Sequence, residues 1–140
     1  MMKILIPVDG SVGAEKAVRF AISIAEGKEK EITLLNVQPS YNLPNMKIFF
    51  NQEQIKAFQQ EGAQEVFARS LEITDSLSTQ VSTLLRIGDP GKEICAEAKA
   101  SGTDLIVMGY RGLGGIKRTI MGSVATHVLH ETPCPVLIVP

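Results

Sequence analysis

The chain has 140 residues, 44% of them hydrophobic and 21% charged, with a formal net charge of -1. That length suits one domain, residues 1–140, with a core of its own, and the near-zero charge gives no electrostatic ground for binding nucleic acid or a membrane surface. Trp is absent and aromatics are few, which speaks against a base-stacking platform; no apolar run nears the roughly 20 residues of a transmembrane helix.

Met1-Met2-Lys3 leads directly into a strand-like run. Without signal-peptide architecture the expected location is the cytoplasm. Lys3 to Val8 (KILIPV) is continuous and apolar, as in a strand buried on both faces. Asp9-Gly10-Ser11 breaks it, and Ser11 is placed to cap a helix through about Glu26. Ala14, Ala17, Val18, Ala21, Ile22 and Ala25 form one stripe there. Ile32 to Val37 is the second strand, and Gln38 to Asn51 reads as a long loop.

Gln52 to about Ser76 has the pattern of a long helix, with Ile55, Phe58, Ala63, Val66, Phe67, Ser70 and Ile73 inward. Val81 to Ile87 is a more polar strand, expected at an edge. Gly88-Asp89-Pro90-Gly91 turns into a helix that Gly102 ends. Leu105 to Met108 is the fourth strand, Ser123 to about Glu131 the fourth helix, and Pro135 to Val139 the fifth strand. The order βαβαβαβαβ predicts an α/β fold, a parallel sheet covered by helices on both faces.

Such sheets bind ligands beyond the carboxyl ends of their strands, where the strand order reverses. Two strand ends carry suitable chemistry. One is Pro7-Val8-Asp9-Gly10-Ser11; the other is GYRGLGGIKRTIMGS, Gly109 to Ser123. Glycine-rich backbone running from a strand into a helix start suits an anion, phosphate above all, because free N–H groups point outward there. A Walker A loop fails, since Gly115 stands where its lysine belongs. The GxGxxG fingerprint fails too, because after Gly112-Leu113-Gly114 position 117 is lysine.

Gly109, Gly112, Gly122 and Ser123 fit G-x2-G-x9-G-[ST] residue for residue. By that motif the chain resembles the ATP-binding branch of the universal stress protein family. KILIPVDGS, GDPGKEI, TDLIVMGYRG, MGSVATHVL and CPVLIVP match family landmarks in order, so the resemblance covers essentially the whole chain. It implies a three-layer αβα sandwich with a five-stranded parallel sheet of order 3-2-1-4-5, Rossmann-like and similar to adenine nucleotide alpha hydrolases. It also implies ATP, with Mg2+ as its companion cation. By position, Asp9 lies near the ribose and adenine, and Pro7, Val8 and Val37 line the base pocket. Met108, Gly109, Arg111 and Gly112 follow the ribose and first phosphates, while Gly122, Ser123 and Val124 sit on the phosphates. Many ATP-binding members carry histidine where this chain has Arg111, whose guanidinium either contacts phosphate or stacks over the base. Members commonly pair as homodimers through the last strand, and the family is associated with survival under stress.

The implied function is a nucleotide-dependent regulatory switch read by an unnamed protein partner, with no catalytic or metal-ligating residues assigned. A slow ATPase or phosphoryl or nucleotidyl transferase is one alternative; an interaction module that binds no nucleotide is another. Blander readings stand beside each residue. Asp9 could simply cap the first helix, and Lys117 and Arg118 could be solvated loop charges. His127 and His130, near Cys134, have a metal-like spacing but no convincing carboxylate. Cys95 and Cys134 lack CxxC or zinc spacing and read as packed, reduced thiols. The wholly apolar last strand needs a cover, which a second copy would supply.

Overall fold

The computed structural model describes residues 1–26, 29–41, 45, 49–75, 80–113 and 120–140. Five strands, β1 (Met2–Pro7), β2 (Lys30–Gln38), β3 (Val81–Ile87), β4 (Leu105–Gly109) and β5 (Val136–Val139), form one parallel sheet of order β3-β2-β1-β4-β5. The helices between them include α1 (Val12–Ala25), α2 (Gln52–Thr74), α3 (Pro90–Ser101) and α4 (Ser123–Glu131). Strand order therefore reverses between β1 and β4, as the resemblance implies. β3 and β5 are the edges.

The pleat of β1 explains the layers. Ile4 and Ile6 face one side and pack with Ala17, Val18 and Ala21 of α1 and with Ala63 and Phe67 of α2. Leu5 faces the other and packs with Ile94 and Ala98 of α3 and with Ala125 and Val128 of α4. Successive side chains on a strand alternate faces, so an unbroken apolar run must be covered twice. Ile4, Leu5 and Ile6 are each no more than 1% exposed, and each such burial contributes about 1.5–3 kcal/mol.

Local signals place most boundaries. The Ser11 hydroxyl accepts from the Ala14 N–H at 3.1 Å, opening α1. Pro90 stands in the first turn of α3, whose last turn closes on Gly102 at a φ of 66°, the left-handed region that glycine enters without strain.

The inward face of α2 matches expectation at Ala63, Phe67 and Ser70, which are buried, and at Val66 and Ile73, which pack against the core, but differs at Phe58. Its buried residues are Gln59, Ala63, Phe67, Ser70 and Thr74, whereas Phe58 is 64% exposed and meets only the ring edge of Tyr41 among described ring contacts. Gln59 is buried because its amide donates to the Pro39 carbonyl at 2.8 Å. Of the loop expected between Gln38 and Asn51, residues 42–44 and 46–48 lie outside the described residues.

Candidate functional site

A cavity of about 600 Å³ opens beyond the carboxyl ends of β1, β2 and β4, walled by the starts of α1, α3 and α4. Every binding residue expected from sequence lines it. Pro7, Val8 and Asp9 come from the end of β1, and Val37 from β2. Met108, Gly109, Arg111 and Gly112 come from β4 and the loop after it, and Gly122, Ser123 and Val124 from the entry to α4. Pocket volumes for small ligands run about 300–1,000 Å³, so a nucleotide-sized molecule fits.

Polar groups at the base are fixed by one another. One carboxylate oxygen of Asp9 accepts from the Ser11 N–H at 2.9 Å, the other from the Leu113 N–H at 3.3 Å. Asp9 thus ties the β1 loop to the β4 loop, and Ser11, not Asp9, caps α1. Asn36, 3% exposed, donates to the Val8 carbonyl at 2.8 Å and accepts from the Gln38 amide at 2.7 Å. Asn36 stands with Val37 on the flank of the cavity; a polar side chain in a strand that is otherwise buried needs a partner, and the spacing does not tell that the Val8 carbonyl supplies it.

The glycines serve close approach more than turning. A Cβ on Gly109 would lie 2.7 Å from the carbonyl carbon of Gly13, so strand end and helix start touch backbone to backbone. A Cβ on Gly13 would strike the Arg111 carbonyl, and one on Gly112 would strike the Asp9 carboxylate. None of these four glycines, Gly122 included, has a positive φ. Gly13 was read only as part of a helix, because a glycine's spatial neighbour leaves no trace in spacing. At Gly112 the space that a side chain would need is taken by the Asp9 carboxylate.

The entry to α4 has a different character. Its cap, Gly122, offers no side chain to the first-turn N–H groups, and no acidic residue stands in that turn. The Gly122 N–H donates to the Tyr110 carbonyl at 2.9 Å and the Thr126 N–H to the Gly122 carbonyl at 3.0 Å. Between them, Ser123, Val124 and Ala125 line the cavity at the positive end of the helix dipole. Nearby, Nη1 of Arg111 is buried and has no hydrogen-bond partner among the described residues. Lys117 and Arg118 lie outside the described residues.

In the second candidate cluster His127 is a packing residue and His130 is exposed. The His127 ring lies where a Cβ on Gly91 would come within 2.6 Å, so it is the surface on which α3 rests. No group of three or more His, Cys, Asp or Glu among the described residues could hold a metal ion. Burial, then Glu131 and Cys134, push the Cys95 thiol above its ordinary value, which keeps it protonated. Among the described residues, no helix is long and apolar enough to cross a membrane.

A family model described as the universal stress protein family matches residues 1–140. The chain belongs to the universal stress protein family. It is 34% identical over 140 residues to a universal stress protein of Methanocaldococcus jannaschii, covering 98% of this chain and 81% of the relative. It is 31% identical over 144 residues to universal stress protein YxiE of Bacillus subtilis, covering 98% and 97%. Among solved structures, universal stress protein UspA from Lactobacillus plantarum superposes with a TM-score of 0.82 at 27% identity, covering 99% and 97%. Two further structures of universal stress proteins share the fold at lower identity. One, from Arabidopsis thaliana, has AMP bound (TM-score 0.70, 18%, covering 99% and 91%). The other, from Archaeoglobus fulgidus, is in complex with dAMP (TM-score 0.73, 22%, covering 100% and 98%).

Proposed function

We propose that this universal stress protein binds an adenine nucleotide, ATP, in the cavity between β1 and β4 and uses it as a regulatory signal. The observation that carries the reading is the uncapped start of α4 opening into a cavity of about 600 Å³. Free N–H groups at a helix start attract a phosphate, and the G-x2-G-x9-G-S spacing supplies the backbone on either side. Family members with AMP and dAMP bound support the class of ligand. On this reading Pro7, Val8 and Val37 face the base, Asp9 the ribose, and Gly122, Ser123 and Val124 the phosphates. Mg2+ would accompany the triphosphate: Asp9 is the sole carboxylate on the cavity wall among the described residues. The cation would therefore keep mostly phosphate and water ligands.

A bound signal is favoured over a catalysed transfer by the state of Asp9. Both its oxygens accept backbone N–H groups, and on this reading it stands at the ribose end, away from the phosphates where a general base would be needed. Nucleotide would then act by ordering the Gly109–Ser123 loop and biasing a surface that a partner protein reads. The reading includes the whole chain as one domain, the cytoplasm as its compartment, and a homodimer formed through β5. That strand is an edge: the Pro135 carbonyl, just before it, accepts from Ile106 of β4, and the Val139 carbonyl accepts from Tyr110, just after β4. The backbone alternates, so the Val136 N–H faces the open side. Val136→Pro removes that donor and is expected to yield monomer by light scattering; an unchanged mass would place the interface elsewhere.

Native mass spectrometry of protein purified without added nucleotide, followed by calorimetric titration with ATP and Mg2+, tests the ligand. Retained or saturable ATP is the expected result. No binding at millimolar ATP would return the chain to an interaction module, and sustained release of ADP by highly purified protein would make it an enzyme.

A further inference from the structure

The hydrogen-bond ladder between β1 and β2 stops one rung early. In a parallel pair, a residue of one strand bonds to the two residues that flank its partner on the other. Val8 continues the β1 register opposite Asn36, so its rungs belong to Leu35 and Val37. The first is made, from the Val8 N–H to the Leu35 carbonyl at 2.8 Å. The second is not. The Asn36 side chain donates to the Val8 carbonyl in its place, at 2.8 Å. On its other side β2 stays paired to its end, where the Gly88 N–H donates to the Gln38 carbonyl at 3.0 Å. The Val37 N–H and carbonyl therefore face the β1 side, where the cavity opens, with no hydrogen-bond partner among the described residues.

Neighbours fix this arrangement. A carbonyl only accepts, so the Asn36 group that faces Val8 is its NH2. The Asn36 oxygen then faces Gln38 and accepts from its amide at 2.7 Å. Gln38 in turn lies against Gly62 of α2, where a Cβ would come within 3.1 Å of that amide. Asn36 is buried, and its amide is kept there by making these bonds. An apolar residue in its place would return the Val8 carbonyl to the Val37 N–H and close the ladder. Left open, one backbone donor and one acceptor stand side by side at a strand end. They match a base edge that carries a ring acceptor beside an amino donor, as adenine does.

We propose that Asn36 is a positioning residue of this site: by taking the Val8 carbonyl it holds the β1–β2 ladder open and keeps the Val37 N–H and carbonyl available to the base. The proposal rests on the adenine-nucleotide reading above. It goes further by giving one buried side chain, which acts through Val8 and Val37, the task of exposing the backbone that the base meets.

The test reads the Val37 amide by hydrogen exchange and AMP binding by calorimetry, in the wild type, Asn36→Leu and Gln38→Leu. In the ligand-free wild type the Val37 N–H should exchange faster than that of Leu35, which is paired with β1, and AMP should slow it by about tenfold or more. In Asn36→Leu the same amide should be slow without ligand, and AMP binding should weaken roughly tenfold, as for the loss of one or two neutral hydrogen bonds. Gln38 does not line the cavity. Gln38→Leu frees the Asn36 amide to turn and should weaken AMP by about threefold, which keeps the proposal testable if Asn36→Leu does not fold. A Val37 amide already protected in the ligand-free wild type would overturn the proposal. Wild-type AMP affinity in the variants that fold would overturn it too. So would weakened AMP binding in Asn36→Leu with the Val37 amide still fast, which would leave Asn36 a packing role. In each of those cases the wild type still binds AMP and the nucleotide reading survives. A wild type that binds no AMP at millimolar concentration overturns both.

Discussion

Helices α1, α2 and α3 begin on side chains that accept from their own first turns, Ser11, Asn51 and Asp89, and each carries an acid there, Glu15, Glu53 and Glu93. Helix α4 begins on Gly122 with neither. Arg86 and Arg111 divide the same way. Arg86 is clamped by Glu93 and then Glu97, which hold its guanidinium above its ordinary value against the opposing effect of burial. Arg111 keeps a buried nitrogen unpaired among the described residues. Three helix starts and one arginine are satisfied by the chain itself. The fourth start opens on the cavity that Arg111 also lines, and on the proposed reading a phosphate would complete that start. Satisfaction elsewhere is what makes the exception informative, because buried polar groups are otherwise paired.

The largest expected effect comes from filling the contact that holds the two loops together. Gly109→Val would drive a side chain into the Gly13 backbone, where a Cβ already falls at 2.7 Å. Overpacking against backbone should cost about 3 kcal/mol, read by chemical denaturation; a loss under a third of that would mean the loops move apart easily. A capped helix start should respond to a smaller degree. Asp89→Ala removes the acceptor of the Lys92 N–H at 3.2 Å and should cost about 1 kcal/mol, with ATP affinity unchanged. If ATP affinity fell along with stability, the division between structural and ligand-facing helix starts would be broken.

Much of the fold was legible in the sequence because it is written in local chemistry. The unbroken run Ile4-Leu5-Ile6 required two covered faces, and Ser11, Pro90 and Gly102 marked helix ends by mechanisms that act within a few residues. The eleven binding residues were legible through the family resemblance, which assigns them by position, and one cavity is lined by them all. What escaped was set by partners distant along the chain. Gln59 is buried through Pro39, and Phe58, apolar but on the outer face, stands in solvent. Gly13 answers to Arg111 and Gly109, Gly112 to Asp9, and Asn36 to Val8. No periodicity encodes such pairs, since each depends on which loops the sheet order brings together.

The smallest expected change in stability gives the most direct measurement. Ser123 is exposed at the first position of α4. Ser123→Asp places there the acid that the other helices already carry. The dipole should make the ligand-free protein more stable by about 0.3–1 kcal/mol, while the new carboxylate repels phosphate. Unfolding temperature and ATP affinity, measured on the same preparation, should therefore move in opposite directions, the first upward and the second down at least tenfold, a factor that corresponds to about 1.4 kcal/mol. Wild-type ATP affinity in Ser123→Asp would contradict a phosphate seat at the start of α4.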